Sequence, residues 1–209
     1  MPDAALPGRL MVVVDLEYAG SDARCLELLR VVARADVGRP VFLQLRAHGL
    51  EPDAFRELAA RARAEVATGV PLLLNGPADL ATELGFDGVH APEGLIPEQR
   101  PAGVRWLSAA VHTIEGVRRA ERAGADLVAF GSVYEPGSHP GMPAGLDALR
   151  LVTMATSLPV FAIGGITADR IEGCVAAGAA GVAVISGILG APDIERAVIE
   201  YCDALEAAK

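Results

Sequence analysis

Residues 159–190, PVFAIGGITADRIEGCVAAGAAGVAVISGILG, hold two short β-branched strands, each running straight into a glycine and then a helix. The strand at 159–163 delivers Gly164-Gly165, and the strand at 181–185 delivers Ser186-Gly187. Bare backbone N–H groups and one hydroxyl can then converge on an anion, because glycine admits a ligand close to the main chain and a helix start adds partial positive charge. Taken singly, each loop reads better as a tight strand-to-helix turn. Two in succession at the end of a repeating chain match the phosphate site that (β/α)8 barrels form after strands seven and eight.

Upstream the same alternation repeats. Apolar runs near 10–16, 40–46, 71–75, 88–91, 104–110 and 126–133 join those at 159–164 and 181–186 to make eight strands. Between them, 22–36, 52–68, 78–84, 114–123, 145–156, 167–177 and 191–207 carry Leu, Val and Ala at helical spacing among Arg and Glu. Fully apolar strands imply burial on both faces, the habit of parallel sheets. The chain is therefore predicted to be an α/β protein, a single (β/α)8 TIM barrel over residues 1–209. The segment 92–102 is the exception. Pro92, Pro97 and Pro101 crowd it, so a short irregular turn is expected where the fourth helix would stand.

A chain of 209 residues, 52% apolar, can bury one substantial core and needs no second. Its net charge of −9, with Lys209 as the lone lysine, provides no basic footprint for nucleic acid or an anionic membrane, so any phosphate must be held locally. The N-terminus lacks a cationic region followed by a long apolar run, and no segment approaches about 18 uninterrupted apolar residues; neither export nor membrane spanning is expected. Cys25, Cys174 and Cys202 have no metal-type spacing and read as reduced packing residues of a cytoplasmic protein. A homo-oligomer is neither required nor excluded.

Nearly every strand ends in a polar residue: Asp15 and Glu17, Gln44 and Arg46, Asn75, His90, Ser108, Ser132, then Gly165 and Ser186. All would open onto the C-terminal rim, where barrels of this kind carry their chemistry. Single residues also have structural readings. Asp15 serves as a partner for Arg46, and His90 as a core histidine bonded to a backbone carbonyl.

Gln44-Leu45-Arg46, PLLLNGPADLATELGFDGVHAPE at 71–93, VHTIEGVRRAERAGADLVAFGSVYEPGS at 111–138, and PVFAIGGITADR with GVAVISGI together resemble the thiamine phosphate synthase and TenI superfamily over about residues 40–209. The resemblance implies a barrel that grips a thiazole phosphate through Gly164, Gly165, Ile185 and Ser186. It also implies substrate contacts from Gln44, Arg46, Asn75, His112 and Ser138.

Two activities follow from the resemblance, and the distinguishing residues are altered for both. A synthase joins a pyrimidine pyrophosphate to the thiazole phosphate and needs Mg²⁺ held by two aspartates, one after an Asn that ends strand three and one shortly after GVH. Here those places read Gly76, following Asn75, and Leu95, neither of which can ligate a hard cation. The family's lysine after QLR is His48, and its Thr-Lys after strand six is Ser138-His139. Asp79 and Glu93 are candidate substitutes, but Asp79 reads better as part of a helix start and Glu93 as a solvated loop residue, so no metal site is predicted.

A TenI-type tautomerase instead moves protons on a thiazole carboxylate phosphate and needs no metal. Its histidine, expected between Gly131 and Val133, is Ser132 here. His139, on the loop beyond strand six, is the nearest replacement, since an imidazole with an ordinary pKa of about 6.5 suits proton shuttling. His48 and His112 share the rim, after strands two and five, and either is an alternative in that role. The expectation is a cofactor-free, TenI-like thiazole tautomerase with His139, His48 and Ser132 as catalytic candidates. A divergent Mg²⁺-dependent synthase is the alternative, and a non-catalytic thiazole phosphate or thiamine phosphate binder the second alternative.

Overall fold

Eight strands close into a parallel barrel in the computed structural model, which describes residues 6–35, 41–66, 69–135 and 142–208. They are β1 (Leu10–Asp15), β2 (Val41–Arg46), β3 (Leu72–Asn75), β4 (Gly88–Ala91), β5 (Trp106–Val111), β6 (Leu127–Gly131), β7 (Val160–Ile163) and β8 (Gly181–Val184). Each pairs with its neighbour in sequence, and β8 returns to β1. The register sets Asp15 beside Arg46, Arg46 beside Asn75, and His90 beside Ser108. Strand ends that are polar in the sequence thereby become one rim.

Side chains alternate across each strand, so half of every apolar run points into the barrel and half toward the helices. Inside lie Met11, Val13, Phe42, Leu73, Leu127, Phe161 and Ala183, with the rings of Phe42 and Phe161 meeting edge to face at 5.5 Å. Gly88 and Gly181 make room for this filling: a Cβ there would stand 2.7 Å from the Trp106 side chain or the Phe161 ring. Outside, Val12, Val14, Leu43, Leu45, Leu72 and Leu74 join the larger core under the helices.

The helices are α1 (Leu16–Ala19), α2 (Asp22–Ala35), α3 (Pro52–Glu65), α4 (Ala78–Glu83), α5 (Ile114–Arg122), α6 (Gly145–Ala155), α7 (Ile171–Ala176), α8 (Ser186–Leu189) and α9 (Ile194–Ala207). In α5, the Thr113 hydroxyl accepts the Gly116 N–H at 2.9 Å, and Val117 and Ala120 are buried while Arg118 and Arg122 face out. Between β4 and β5 there is only a 3₁₀ turn, Glu93–Leu95, as the prolines predict. Strand β8 stops at Val184 because Ser186 already begins α8. Four-residue helices such as α1 and α8 are too short to show a 3.6-residue period in sequence.

The opposite rim is devoted to holding the barrel shut. Asp87 and Asp126, just before β4 and β6, accept the N–H of Leu72 at 3.0 Å and of Leu107 at 2.7 Å, each one strand back. Arg63 and Arg100 neutralise them. Arg9 donates to the carbonyl of Ala180 at 2.9 Å and also reaches that of Leu205, tying β1 to the lead-in of β8 and to α9. All three cysteines are buried, and burial pushes the Cys25 and Cys174 thiols up to about 12 and about 11, so both stay protonated. No helix among the described residues is long and apolar enough to cross a membrane.

Candidate active site

A cavity of about 350 Å³ opens at the C-terminal ends of the strands. The predicted residues Gln44, Arg46, His48, Asn75, His112, Ser132, Gly164, Gly165, Ile185 and Ser186 all line it. Ser138 and His139 lie outside the described residues. Its inner surface between these groups is apolar, made of Ala110, Ala129 and Ala183 together with Met11, Val13 and Ile163. A wider cleft of about 720 Å³ adjoins it between α3, α4 and the 3₁₀ turn, lined mainly by apolar side chains such as Leu50, Phe55, Leu80 and Leu95. Polar groups from many strands converge only in the barrel mouth, which is therefore the candidate site.

Arg46 is held in place by Asp15. One carboxylate oxygen of the buried Asp15 binds the guanidinium, and the other accepts the Glu17 N–H at 3.0 Å. The structural reading of Asp15 is thus correct, and its charge is already committed. His48 stands beside this pair; its partial burial and then the Arg46 cation lower its pKa, so the ring is neutral at pH 7.

His90 departs from expectation. It is buried but bonded to a side chain rather than a backbone carbonyl, with Nδ1 2.8 Å from the Ser108 hydroxyl. Burial first, then Arg46 and His48, push its pKa down to about 4. The histidine that meets a carbonyl is His112, whose Nδ1 lies 2.6 Å from the Gly131 oxygen. A carbonyl only accepts, so Nδ1 carries the proton, and in the neutral ring Nε2 keeps its lone pair.

Glu93 is not the solvated loop residue its surroundings in sequence suggest. Its carboxylate accepts the His112 N–H at 3.0 Å and the Thr113 hydroxyl at 2.7 Å, and Arg119 approaches to 3.8 Å. It lies against Gly116, where any side chain would displace it. Glu93 therefore clamps the β4–β5 turn to the start of α5 and sets the backbone from which His112 projects. Glu93→Ala is expected to cost about 1–3 kcal/mol, the range for stranding such donors, while Glu93→Gln, which keeps an acceptor, should cost less. Thermal denaturation of the two variants checks this; equal, negligible shifts would return Glu93 to the solvated class.

The two glycine loops line the same cavity as Arg46. Gly164 and Gly165 have φ of +97° and +60°, a region that favours glycine. A Cβ on Gly164 would stand 2.5 Å from that of Ser132, and one on Gly165 would stand 2.5 Å from the Glu135 carbonyl. The chain at 132–135 therefore demands glycine at both positions even before any ligand approaches. Arg170 donates to the Gly165 carbonyl at 2.6 Å with its guanidinium 4.7 Å above the Tyr134 ring, and the Tyr201 hydroxyl donates to the Ile166 carbonyl at 2.9 Å. Those bonds fix the loop's peptide planes. Sequence reading missed Tyr201 because it lies on α9, 35 residues beyond Ile166.

A profile of the family described as thiamine monophosphate synthase matches residues 10–188. A thiamine-phosphate synthase of Roseiflexus castenholzii is 37% identical over 203 residues, covering 94% of this chain and 87% of the relative. One from Moorella thermoacetica is 35% identical over 208 residues, covering 96% and 97%. Among solved structures, thiamine phosphate pyrophosphorylase from Pyrococcus furiosus superposes with a TM-score of 0.77 at 26% identity, covering 97% of this chain and 98% of that one.

Proposed function

The chain belongs to the thiamine monophosphate synthase family, and from that premise we propose that it is a transferase of thiamine biosynthesis, joining a pyrimidine diphosphate to a thiazole phosphate. The observation that carries this reading is the single cavity into which the glycine loops and Arg46 both open, among relatives named as synthases. In the reaction, the bond between the pyrimidine methylene and the diphosphate oxygen breaks. The thiazole nitrogen takes the methylene, and diphosphate leaves.

The chain's own residues have definable parts in this. Backbone N–H groups at Gly164, Gly165, Ile185 and Ser186 hold the thiazole phosphate, as the first N–H groups of a helix and glycine turns are suited to do. Arg46, oriented by Asp15, directs positive charge toward the leaving diphosphate. The apolar interior, with Met11, Val13 and Ile163 beside the alanines, keeps water from the separating groups.

The resemblance also implies Mg²⁺, and the residues present do not fit it. Of the two aspartate positions, Gly76 lies under the Phe55 ring, 2.8 Å from where a Cβ would stand, and Leu95 is exposed. Asp15 and Glu93 are committed as described, and Asp79 accepts the Leu80 N–H at 2.9 Å. Among the described residues no group of three or more His, Cys, Asp or Glu is placed to hold a metal ion.

A second reading, the thiazole tautomerase, draws support from His112. Its Nε2 lone pair at the cavity is suited to accept a ring proton, next to the place where that subfamily's histidine is replaced by Ser132. The test incubates the protein with both synthase substrates, with Mg²⁺ and with chelator, and follows thiazole tautomerisation separately by ultraviolet absorbance. Thiamine phosphate and pyrophosphate are expected, with the rate changing by less than roughly tenfold on chelation. Tautomerisation without coupling would establish the second reading. Silence in both assays despite phosphate binding would make the protein a binder.

A further inference from the structure

Tyr201 touches both glycine loops from behind. Its ring is buried in the core under the helices, and its hydroxyl donates to the Ile166 carbonyl at 2.9 Å. The same hydroxyl stands where a side chain on Gly187 would begin: a Cβ there would collide with the Tyr201 oxygen and come within 2.9 Å of the Ile166 carbonyl. Ile166 follows Gly164-Gly165, Gly187 follows Ser186, and all of these residues line the barrel mouth. One hydroxyl is thus wedged between the segment that leaves β7 and the segment that leaves β8. Burial, and then the Asp169 carboxylate, push its pKa up to about 12, so it remains a proton donor at neutral pH. The two preceding carbonyls are also taken, that of Gly165 by Arg170 at 2.6 Å and that of Gly164 by the Tyr134 N–H at 3.1 Å. In a trans peptide the N–H points opposite to the preceding carbonyl, so the three bonds fix the directions of the Gly165, Ile166 and Thr167 N–H groups. Of the three donors, Tyr201 is the one packed against Gly187 as well.

We propose that Tyr201 is a positioning residue whose hydroxyl sets the spacing of the two glycine loops, so that N–H groups from both reach one phosphate. This rests on the reading of those loops as the anion grip. Loops free to settle independently would have to be drawn together by the ligand, and that ordering weakens binding; loops held by one buried hydroxyl are in place before the ligand arrives. Gly187 is then glycine for the sake of the wedge, since a methyl group there would push the hydroxyl off the Ile166 carbonyl.

The experiment measures inorganic phosphate affinity by calorimetry, well below the melting temperature of every variant, so that a change in global stability alone moves nothing. Tyr201→Phe removes the hydroxyl and keeps the ring; it is expected to bind inorganic phosphate about tenfold more weakly than the wild type. Leu205→Ala is the control for stability, a buried position on the same helix whose carbonyl faces Arg9 at the opposite rim. It should lower Tm at least as much as Tyr201→Phe and leave phosphate affinity unchanged. Gly187→Ala should weaken phosphate binding more in the wild type than in Tyr201→Phe, where the hydroxyl it would displace is already gone. Wild-type affinity in Tyr201→Phe, an equal loss in Leu205→Ala, or the same cost of Gly187→Ala in both backgrounds would overturn the assignment. A wild type that binds no phosphate would overturn the anion grip itself, and with it the role of Tyr201.

Discussion

Gly165→Val is expected to remove about 4 kcal/mol of stability and most of the anion affinity. The first part has two sources. A β-branched residue at φ +60° is strained by about 1–3 kcal/mol, and the new Cβ would stand 2.5 Å from the Glu135 carbonyl and 2.9 Å from the Tyr134 Cβ, an overpacking cost of similar size. For a chain of this length that is about 8–16 °C in Tm. The second part follows because the loop cannot move without turning its N–H groups from the cavity. Losing one charge-assisted bond weakens inorganic phosphate by about 10- to 100-fold.

Gly85 is the control, with φ of +73° and nothing within 4 Å of a would-be Cβ. Gly85→Ala should therefore cost about 1 kcal/mol and leave phosphate binding intact, while Gly165→Ala should cost clearly more. Equal costs at the two sites would mean that the segment over Gly165 does not constrain it. Unchanged phosphate affinity in Gly165→Val would place the grip elsewhere.

Between pH 6.5 and pH 4 the wild type is expected to lose about 3 kcal/mol more stability than His90→Gln loses. His90 in the folded protein titrates near 4, below its ordinary 6.5, because burial disfavours the imidazolium and Arg46 and His48 stand near it. Across that interval the unfolded chain binds a proton that the folded chain excludes. Its contribution is therefore intact above pH 6.5, falls as the pH drops toward 4, and changes no further below that. His48 shifts in the same direction and adds a smaller slope that persists in the variant. Urea denaturation at half-unit pH steps measures the difference; identical pH profiles for the two proteins would show that His90 is not held neutral by the fold.

The relatives bear on chemistry differently from the residues. They support coupling over the tautomerase expected from sequence, while the carboxylates that would position Mg²⁺ are absent or already engaged.

Eight strands, their order, the missing fourth helix and the polar rim were legible in the sequence because each depends on short-range pattern. Apolar runs mark strands buried on both faces, prolines at 92, 97 and 101 forbid a regular helix, and polar residues at strand ends share one rim once the strands are parallel. The glycines at 164 and 165 were legible as turn residues for the same reason. Closure of the barrel decided everything that needs a partner across strands. It brought Ser108 to His90 from 18 positions along the chain, turned Glu93 from a loop carboxylate into the clamp on α5, and set the Gly131 carbonyl against His112. Periodicity tells which face a side chain takes but not its neighbour on that face, and the neighbour sets hydrogen bonding, charge and protonation. That is why the sequence located the site, and only the tertiary structure assigned its histidines.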